Sequence, residues 1–430
     1  EDYRNAAAQP LVLAEEEDTK KNSSVTSYFT DALFTELVQD IMDKENISES
    51  EAQKLLYTGG FTVESTVNTK VQSAMENLML NTDDAYFPAG WHEEEVTSIS
   101  DDDVQVMNED GTPKTRTGDD GTVYYYRNVR TQAAMVTLDY DGNVIAIVGG
   151  LGEKNKSLSL NRAYSVTRQT GSTIKPIASY SLAVENDIIH FSSLVEDSPI
   201  TITENGVQRT WPVNFYGSYL GNITVNIAIQ RSTNTIPVKL QQIITPQVSF
   251  NFLKNKLGIS TLVESRTENG RVLSDINLAP MALGEMTDGV TPLAMAGAYQ
   301  IFGNGGIYTE PYSYTRVETA DGTVILEHTP ISNRVISSES ATVLNHLLQG
   351  VTTGTSAKFS AMPVAGKTGT SDNDNNQWFI GVTPYYVGVC WLGYDIPEQI
   401  RYYSYAPPII YKNIMGPIHQ NLAVVQFQDD

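Results

Sequence analysis

The chain has 430 residues, of which 40% are hydrophobic, so it is long enough for about two or three domains with at least one sizeable core. Its formal charge is −23, because 51 Asp and Glu residues outnumber 28 Lys and Arg residues. This balance argues against nucleic acid as a partner, since phosphate binding needs clustered Lys and Arg. No apolar run reaches about 18 residues, so the sequence predicts no transmembrane helix.

The N-terminal part of the chain predicts helices interrupted by one strand. Hydrophobic residues recur every four positions from Phe29 to Ile41, which predicts helix within residues 27–56. Residues 61–67 alternate between polar and apolar side chains and predict a strand. Residues 68–80 then predict a further helix.

A highly acidic stretch, residues 83–121, follows. It holds twelve acidic residues against two basic ones, Lys114 and Arg116. Because unpaired carboxylates are costly to bury, we expect a solvated and poorly packed connector that is mobile or added onto the main fold. The carboxylates match no calcium-loop spacing, so no metal site is predicted there.

Residues 124–150 change to a β pattern. Two apolar runs flank the dipeptide Asp141-Gly142, which is typical of a hairpin turn. The middle of the chain is predicted to be mostly helical.

Three further strands are predicted near the end of the chain, at residues 363–370, 377–383 and 386–394. Cys390, the only cysteine, lies in the last of them, so no intrachain disulfide can form. Its apolar neighbours indicate a small core residue rather than a thiol nucleophile.

One candidate for chemistry is the pair formed by Ser172 and Lys175. If a helix begins there, the two side chains share a face, with Cβ atoms about 5–6 Å apart. A hydroxyl and an amine at that separation can act as nucleophile and base, provided that burial or a neighbouring cation lowers the pKa of the amine. The same spacing also arises by chance, in which case Ser172 caps a helix and Lys175 is a solvated surface residue.

Two later motifs accompany this pair. Ser232 and Asn234 supply a hydroxyl and an amide two residues apart, a spacing that recurs in the chain and is weak alone. The Lys-Thr-Gly motif at residues 367–369 occurs once and is the most specific of the three. A second Ser-x-Asn at residues 371–373 directly follows that motif, so we do not expect it to form an independent wall of a site.

Ser-x-x-Lys, Ser-x-Asn and Lys-Thr-Gly, in this order, are the signature of penicillin-binding proteins and class A β-lactamases. The surrounding sequence resembles the class A high-molecular-mass penicillin-binding proteins, which are bifunctional peptidoglycan synthases. The resemblance covers nearly the whole chain and is carried by residues 27–29, 56–60, 69–72, 168–176, 282–284, 289–293, 304–306 and 366–394. The acidic stretch matches poorly, and Thr170 stands where proline is more usual.

The resemblance implies an α/β (α+β) fold of the serine β-lactamase and penicillin-binding transpeptidase class. In that fold a central antiparallel sheet is flanked by helices, with a largely helical subdomain beside it. The chain would divide into an interdomain linker region, residues 1–120, and a transpeptidase domain, residues 121–430. We expect it to begin after a glycosyltransferase domain, and therefore not to polymerise glycan by itself.

The resemblance also implies a serine D,D-transpeptidase that cross-links peptidoglycan stem peptides and is the target of β-lactam antibiotics. Ser172 would attack the carbonyl between the two terminal D-alanines, and Lys175 would accept its proton. Ser232 would relay a proton to the leaving D-alanine. Asn234 would hold Lys175 and the backbone of the substrate.

The Lys-Thr-Gly motif is implied to bind the substrate. Lys367, with Thr368 and Thr370 on either side of Gly369, would bind the terminal carboxylate. The N–H groups of Ser172 and Thr370 would form the oxyanion hole. Losing one such donor typically costs roughly 10²–10³ in rate.

Other functions stay open at this point. A β-lactamase or D,D-carboxypeptidase would hydrolyse the acyl-enzyme, but no Glu between Ser232 and Lys367 is followed by Asn four residues later, the pattern of class A β-lactamases. A β-lactam sensor would be acylated without catalysis. A scaffold would carry a dead site, although every motif residue is present here.

No cofactor and no metal are predicted, since none of the five histidines lies in a metal-binding motif. The partners implied are stem peptides, as donor and amine acceptor, β-lactams, and cell-division or elongation proteins. The implied location is the extracytoplasmic face of the bacterial cell membrane, reached only through an N-terminal part that this sequence lacks.

Overall fold

The structure, a computed structural model, describes residues 25–80, 92–99, 103–204, 206–360, 362–400 and 406–429. The helices are α1 (Tyr28–Glu45), α2 (Glu49–Thr58), α3 (Thr69–Leu80), α4 (Ser181–Glu185), α5 (Val225–Gln230), α6 (Thr235–Ile244), α7 (Pro246–Asn255), α8 (Leu278–Leu283), α9 (Pro292–Tyr299), α10 (Ser338–Thr352) and α11 (Pro407–His419). Shorter helical turns occupy Gly171–Thr173, Pro176–Tyr180, Gln300–Phe302 and Asp372–Asp374.

The strands are numbered in the same way. They are β1 (Thr62–Ser65), β2 (His92–Val96), β3 (Val104–Gln105), β4 (Thr115–Thr117), β5 (Val123–Val129), β6 (Gln132–Leu138), β7 (Val144–Val148), β8 (Leu194–Asp197), β9 (Ile200–Glu204), β10 (Val207–Trp211), β11 (Gly221–Thr224), β12 (Arg266–Glu268), β13 (Arg271–Leu273), β14 (Ile307–Thr309), β15 (Tyr314–Glu318), β16 (Val324–Glu327), β17 (Ser332–Arg334), β18 (Ala365–Thr370), β19 (Asn376–Val382) and β20 (Val387–Gly393).

A five-stranded antiparallel sheet forms the centre of the fold, in the order β18-β19-β20-β6-β7. The predicted hairpin at Asp141-Gly142 joins β6 and β7, and Gly142 has a φ of +90°, which few residues other than glycine adopt. The three strands predicted near the end of the chain are confirmed as β18, β19 and β20.

Both faces of the central sheet are covered, because alternate side chains of each strand point to opposite faces. On β6, Met135 packs in a cluster with Met75 of α3 and Ile414 of α11. Its neighbour Val136 belongs to a second cluster, which includes Ala298 of α9 and Leu344 of α10. The predicted arrangement of a sheet flanked by helices is therefore confirmed.

Cys390 lies inside this sheet. It faces Met135 across one strand pair and Phe379 across the other, and its exposed fraction is 0%. Burial raises the pKa of the thiol. The interpretation of Cys390 as a core residue is confirmed.

The N-terminal elements appear in the predicted order of helix, helix, strand and helix. Strand β1 pairs with β15, which lies between β1 and β16 in a three-stranded sheet. Leu37 and Ile41 of α1 share a core with Val317 of β15. The predicted linker region and the rest of the chain are thus packed together, while the boundary at residue 120 stays a prediction and residues 1–24 lie outside the described residues. None of the described helices combines the length and apolar character needed to span a bilayer.

In the part of the acidic stretch that the structure describes, the expectation of a poorly packed connector is wrong, whereas the alternative of an addition to the main fold agrees with a separate sheet. Strands β2, β3 and β4 all pair with β5 in a separate sheet. Its carboxylates pair with cations of the same sheet: Arg116 of β4 forms two hydrogen bonds with Glu95 of β2, of 2.9 and 2.6 Å, and Arg127 of β5 contacts Glu94 and Asp103. Arg116 holds the pKa of Glu95 at about 2. Cross-strand ion pairing, rather than burial, allows this acidic segment to form strands.

A partly buried carboxyl joins α1 to the segment before β15. Glu36 accepts hydrogen bonds from the N–H of Ser313, at 3.1 Å, and from its hydroxyl. Burial raises the pKa of Glu36 from its ordinary 4.5 to about 7, with a smaller contribution from nearby Asp40. Because the folded state binds this proton more tightly than the unfolded state, stability is lost as the pH rises from about 4.5 through about 7.

We therefore expect the Glu36→Gln protein to be more stable than the parent by about 1–2 kcal/mol in unfolding free energy at a pH above about 8. Near pH 4 the two proteins should have nearly the same unfolding free energy. Urea unfolding at the two pH values measures this difference. Glu64→Gln, which removes an exposed carboxylate on β1, is the control and should change stability equally at both. A Glu36→Gln effect that does not depend on pH would contradict the assignment.

Candidate active site

Ser172 occupies the middle of the short 3₁₀ turn Gly171–Thr173, which leads through a π-helical turn into α4. The predicted helix start at Ser172 is therefore present, but it is not regular α-helix. The first N–H groups of a helical segment lack acceptors within it, so they can bind an anionic oxygen. Ser172 is partly exposed and lines a cavity of about 540 Å³.

Lys175 lies beneath Ser172 and is only 1% exposed, so the surface-residue alternative is wrong. Its Nζ donates to Asn234 Oδ1 at 2.6 Å, to the carbonyl of Ser232 at 2.9 Å and to that of Thr233 at 3.1 Å. Burial, together with the positive charge of Lys367, holds its pKa well below the usual range. A lowered pKa favours the neutral amine, which is the form of lysine that can accept a proton.

Ser232 stands between the two lysines. Its Oγ lies 2.9 Å from Lys367 Nζ and 3.4 Å from Lys175 Nζ. Its φ is +51°, in the left-handed region that residues with a Cβ rarely adopt. Such strain costs of order 1–3 kcal/mol and is concentrated at functional sites. Here the turn aims the hydroxyl of Ser232 at both amines.

Lys367 comes from β18, the strand at one edge of the central sheet. It is also 1% exposed, and it donates to Ser232 Oγ and to the carbonyl of Thr368, both at 2.9 Å. Burial lowers the pKa of Lys367 to about 7. The two lysines therefore share one hydroxyl, and a proton can pass between Lys175 and Lys367 through Ser232.

Glycines bring β18 against the turn that carries Ser172. A Cβ on Gly369 would lie 2.6 Å from the carbonyl oxygen of Thr170 and 2.7 Å from Cγ2 of Thr173. A Cβ on Gly171 would lie 2.2 Å from the carbonyl oxygen of Thr370. The backbones of residues 171 and 370 are thus in direct contact. This contact puts the N–H groups of Ser172 and Thr370, the expected oxyanion donors, on neighbouring segments.

We expect Gly369→Ala to lower the rate of Ser172 acylation about 100-fold, because the added methyl would displace β18 and small displacements of reacting groups cost this much. Acylation by a fluorescent penicillin measures the change, and thermal unfolding verifies the fold. Gly354→Ala is the control, since the nearest atom to its Cβ would be 3.9 Å away. Unchanged acylation in Gly369→Ala would show that the contact does not position the strand.

Residues that the motifs do not include hold Asn234 in place. Its side-chain Nδ2 donates to the carbonyl of Val213, and its backbone N–H donates to Asn214 Oδ1, both at 2.7 Å. Asn214 in turn donates to the fully buried carboxylate of Asp197, at 2.9 Å. Thr235 donates to the same carboxylate at 2.5 Å. This network orients Asn234 Oδ1 toward Lys175.

The cavity brings together nearly all of the predicted site residues. Its lining includes Ser172, Ser232, Asn234, Thr368, Gly369 and Thr370, while Lys175 and Lys367 lie buried behind it. Sequence reasoning missed four other lining residues, Phe215, Tyr216, Arg231 and Glu285. Residues 371–374 also line the cavity, where they continue the wall formed by residues 368–370, so the second Ser-x-Asn does not form an independent wall. Within the described ranges no group of three or more side chains could hold a metal ion.

A family comparison bears directly on this geometry. Residues 132–416 match the family described as the penicillin binding protein transpeptidase domain. The chain belongs to this family. The predicted family and the predicted type of catalytic domain are thereby confirmed.

Relatives extend the likeness to the N-terminal part. Penicillin-binding protein 1A of Clostridium acetobutylicum is 31% identical over 96% of this chain and 47% of its own length. Penicillin-binding protein 4 of Bacillus subtilis is 30% identical over 66% of this chain and 43% of its own length. The chain thus spans about half the length of these relatives. The predicted similarity to the transpeptidase portion of class A penicillin-binding proteins is confirmed.

Solved structures show the same fold. PonA1 from Mycobacterium tuberculosis, in complex with penicillin V, has a TM-score of 0.68 and is 21% identical, covering 93% of this chain and 95% of that chain. Penicillin-binding protein 1A from Haemophilus influenzae has a TM-score of 0.67 and is 19% identical, covering 99% of this chain and 74% of that chain. The predicted fold class is confirmed.

Proposed function

We propose that this penicillin-binding transpeptidase domain cross-links peptidoglycan stem peptides through an acyl-enzyme on Ser172, and that β-lactams acylate the same hydroxyl. One observation carries the proposal: two buried lysines, Lys175 and Lys367, both contact Ser232 Oγ. Ser232 and Ser172 line the same cavity. A solvated or capping role for these residues would not require two buried amines.

The first step forms the acyl-enzyme. Lys175 takes the proton of Ser172 as Oγ attacks the carbonyl between the two terminal D-alanines. The N–H groups of Ser172 and Thr370 stabilise the oxyanion of the tetrahedral intermediate. When this intermediate collapses, the C–N bond breaks, and the proton reaches the departing D-alanine through Ser232.

Substrate recognition falls to β18. The ammonium of Lys367, with the hydroxyls of Thr368 and Thr370 beside Gly369, receives the terminal carboxylate of the substrate. A β-lactam carries a carboxylate and an amide carbonyl of similar spacing, so it would use the same groups. Its ring-opened product stays attached to Ser172 and leaves no separate fragment to make room for an amine.

The second step transfers the acyl group. The amine of another stem peptide attacks the ester carbon, the bond to Ser172 Oγ breaks, and a new amide bond forms. Ser172 regains its proton from the Lys175 and Ser232 pair. We place this chemistry on the extracytoplasmic face of the bacterial membrane, where stem peptides are joined, with cell-division or elongation proteins as further partners.

Fluorescent penicillin and mapping of the modified peptide test the proposal. We expect one labelled serine, Ser172, an adduct that persists, and no label on Ser172→Ala. An N-acyl-D-alanyl thioester should also acylate the chain and should pass its acyl group to an added amine.

The possible outcomes separate the competing functions. Rapid turnover of penicillin would indicate a β-lactamase. Thioester hydrolysis without transfer to any amine would indicate a D,D-carboxypeptidase, and a stable adduct without thioester turnover would indicate a sensor. Label on a serine other than Ser172 would remove the site assignment.

A further inference from the structure

A carboxyl group that the proposed chemistry does not use lies in the same cavity. Glu285 follows α8 directly after Gly284, whose φ is +81°. A Cβ on Gly284 would lie 2.4 Å from the carbonyl oxygen of Gly171. The backbone one residue before Glu285 therefore packs on the residue that precedes Ser172. This contact fixes Glu285 beside the nucleophile turn.

Glu285 is partly buried and lines the cavity. Across the part of the chain that the structure describes, its carboxyl forms no hydrogen bond and no ion pair. Asp372, which also lines the cavity, is close enough for the two charges to repel each other. Burial first, and Asp372 second, raise the pKa of Glu285. A cation bound near Glu285 would relieve both effects.

None of the described cations of the site forms an ion pair with Glu285. Lys175 and Lys367 are directed toward Ser232, behind the lining of the cavity. Arg231 lies over the ring of Tyr216, with its guanidinium carbon 5.7 Å from the ring centre. The anionic group of the donor has a receptor on β18, whereas the cationic group of the second substrate has none among the motif residues.

We propose that Glu285, assisted by Asp372, binds the ammonium group of the acceptor substrate. This inference rests on the proposed transpeptidase activity and adds a recognition element for its second step. The acceptor arrives as R–NH₃⁺ and releases one proton to water. The resulting amine forms the C–N bond as the bond between the acyl carbon and Ser172 Oγ breaks, and its second proton restores the Ser172 hydroxyl.

The test measures how the acyl-enzyme partitions. The whole chain is acylated with an N-acyl-D-alanyl thioester, and the fraction of product formed by aminolysis is followed against the concentration of glycinamide, a cationic amine without a carboxylate. Methanol serves as a neutral nucleophile. Because partition is expressed per acyl-enzyme formed, a change in the acylation rate does not enter the result.

For Glu285→Gln we expect the glycinamide concentration that diverts half of the acyl-enzyme to rise roughly five- to tenfold, and less at high salt. The methanol concentration that diverts half of the acyl-enzyme should stay within about twofold of the parent value. Asp372→Asn should change the amine partition in the same direction by a smaller factor. Glu264→Gln, which removes an exposed carboxylate outside the cavity lining, should leave both partitions as in the parent.

Several results would overturn the inference. If transfer of the acyl group to glycinamide and to methanol fell equally in Glu285→Gln, Glu285 would be a structural residue. A selective loss of hydrolysis would make it the base that activates water. An unchanged amine partition in Glu285→Gln and in Asp372→Asn would leave the acceptor with no contact to either carboxylate. Failure of the thioester to acylate Ser172 would overturn the proposed function itself, and the inference with it.

Discussion

Replacing Lys175 with alanine is expected to slow acylation of Ser172 about 10³-fold, both with penicillin and with a D-alanyl thioester. The reason is that proton removal from Ser172 is needed whatever the leaving group, and general-base catalysis typically contributes roughly 10²–10⁴. Burial and the charge of Lys367 hold the pKa of Lys175 well below its usual range, which favours the neutral amine that a general base requires. Rapid-mixing acylation with each substrate measures the effect.

The control is Lys412→Ala, which removes an exposed lysine of α11 and should leave the rate unchanged. Thermal unfolding shows whether Lys175→Ala keeps its fold after Asn234 Oδ1 loses its hydrogen-bond donor. A folded Lys175→Ala protein that is acylated at more than about a tenth of the parent rate would contradict the assignment of Lys175 as base.

Replacing Lys367 with alanine, unlike replacing Lys175, is expected to slow acylation by some substrates more than by others. A charge-assisted hydrogen bond is worth about 1.5–3 kcal/mol, so acylation by a substrate with a free carboxylate should fall roughly ten- to a hundredfold. The ester analogue of the same substrate, which lacks the carboxylate charge, should react slowly with the parent and should lose less on mutation. Acylation rates for the two substrates with the parent and with Lys367→Ala provide the comparison.

The structure adds a pH dependence to this prediction. Since the pKa of Lys367 is about 7, its ammonium deprotonates as the pH rises through that value. The preference of the parent for the free acid over the ester should therefore fall between about pH 6 and pH 8. If Lys367→Ala slows the acid and the ester equally, the lysine acts through its 2.9 Å contact with Ser232 rather than as a carboxylate receptor.

Much of the fold could be predicted because its signals are local. The hairpin at Asp141-Gly142 depends on adjacent residues, and the strands that end the chain are short apolar runs. The three chemical motifs could also be found, since each consists of residues within four positions of one another. What brings them together, close glycine contacts such as that between Gly369 and Thr170, involves segments about 200 residues apart and has no local pattern.

The parts that were missed depend on distant partners. Asp197 belongs to no motif, and its role follows from contacts with Asn214 and Thr235, which are 17 and 38 residues further along the chain. The acidic sheet was misjudged for a related reason. Its charge density argues against burial, and strands β2 to β5 contain no fully buried residue. Composition does not reveal, however, that Arg116 and Arg127 pair with the carboxylates across strands and so allow the sheet to form.

The enclosed position of Cys390 makes the chain convenient for site-directed labelling. Because this thiol is the only one and is fully buried between Met135 and Phe379, a maleimide can reach it only when the central strands separate. Its reaction rate then reports opening of the sheet. In the folded protein, Phe215→Cys would introduce the one accessible thiol, at a position that is 89% exposed and lines the cavity. A fluorophore attached there would report occupancy of the cavity without any other change to the sequence.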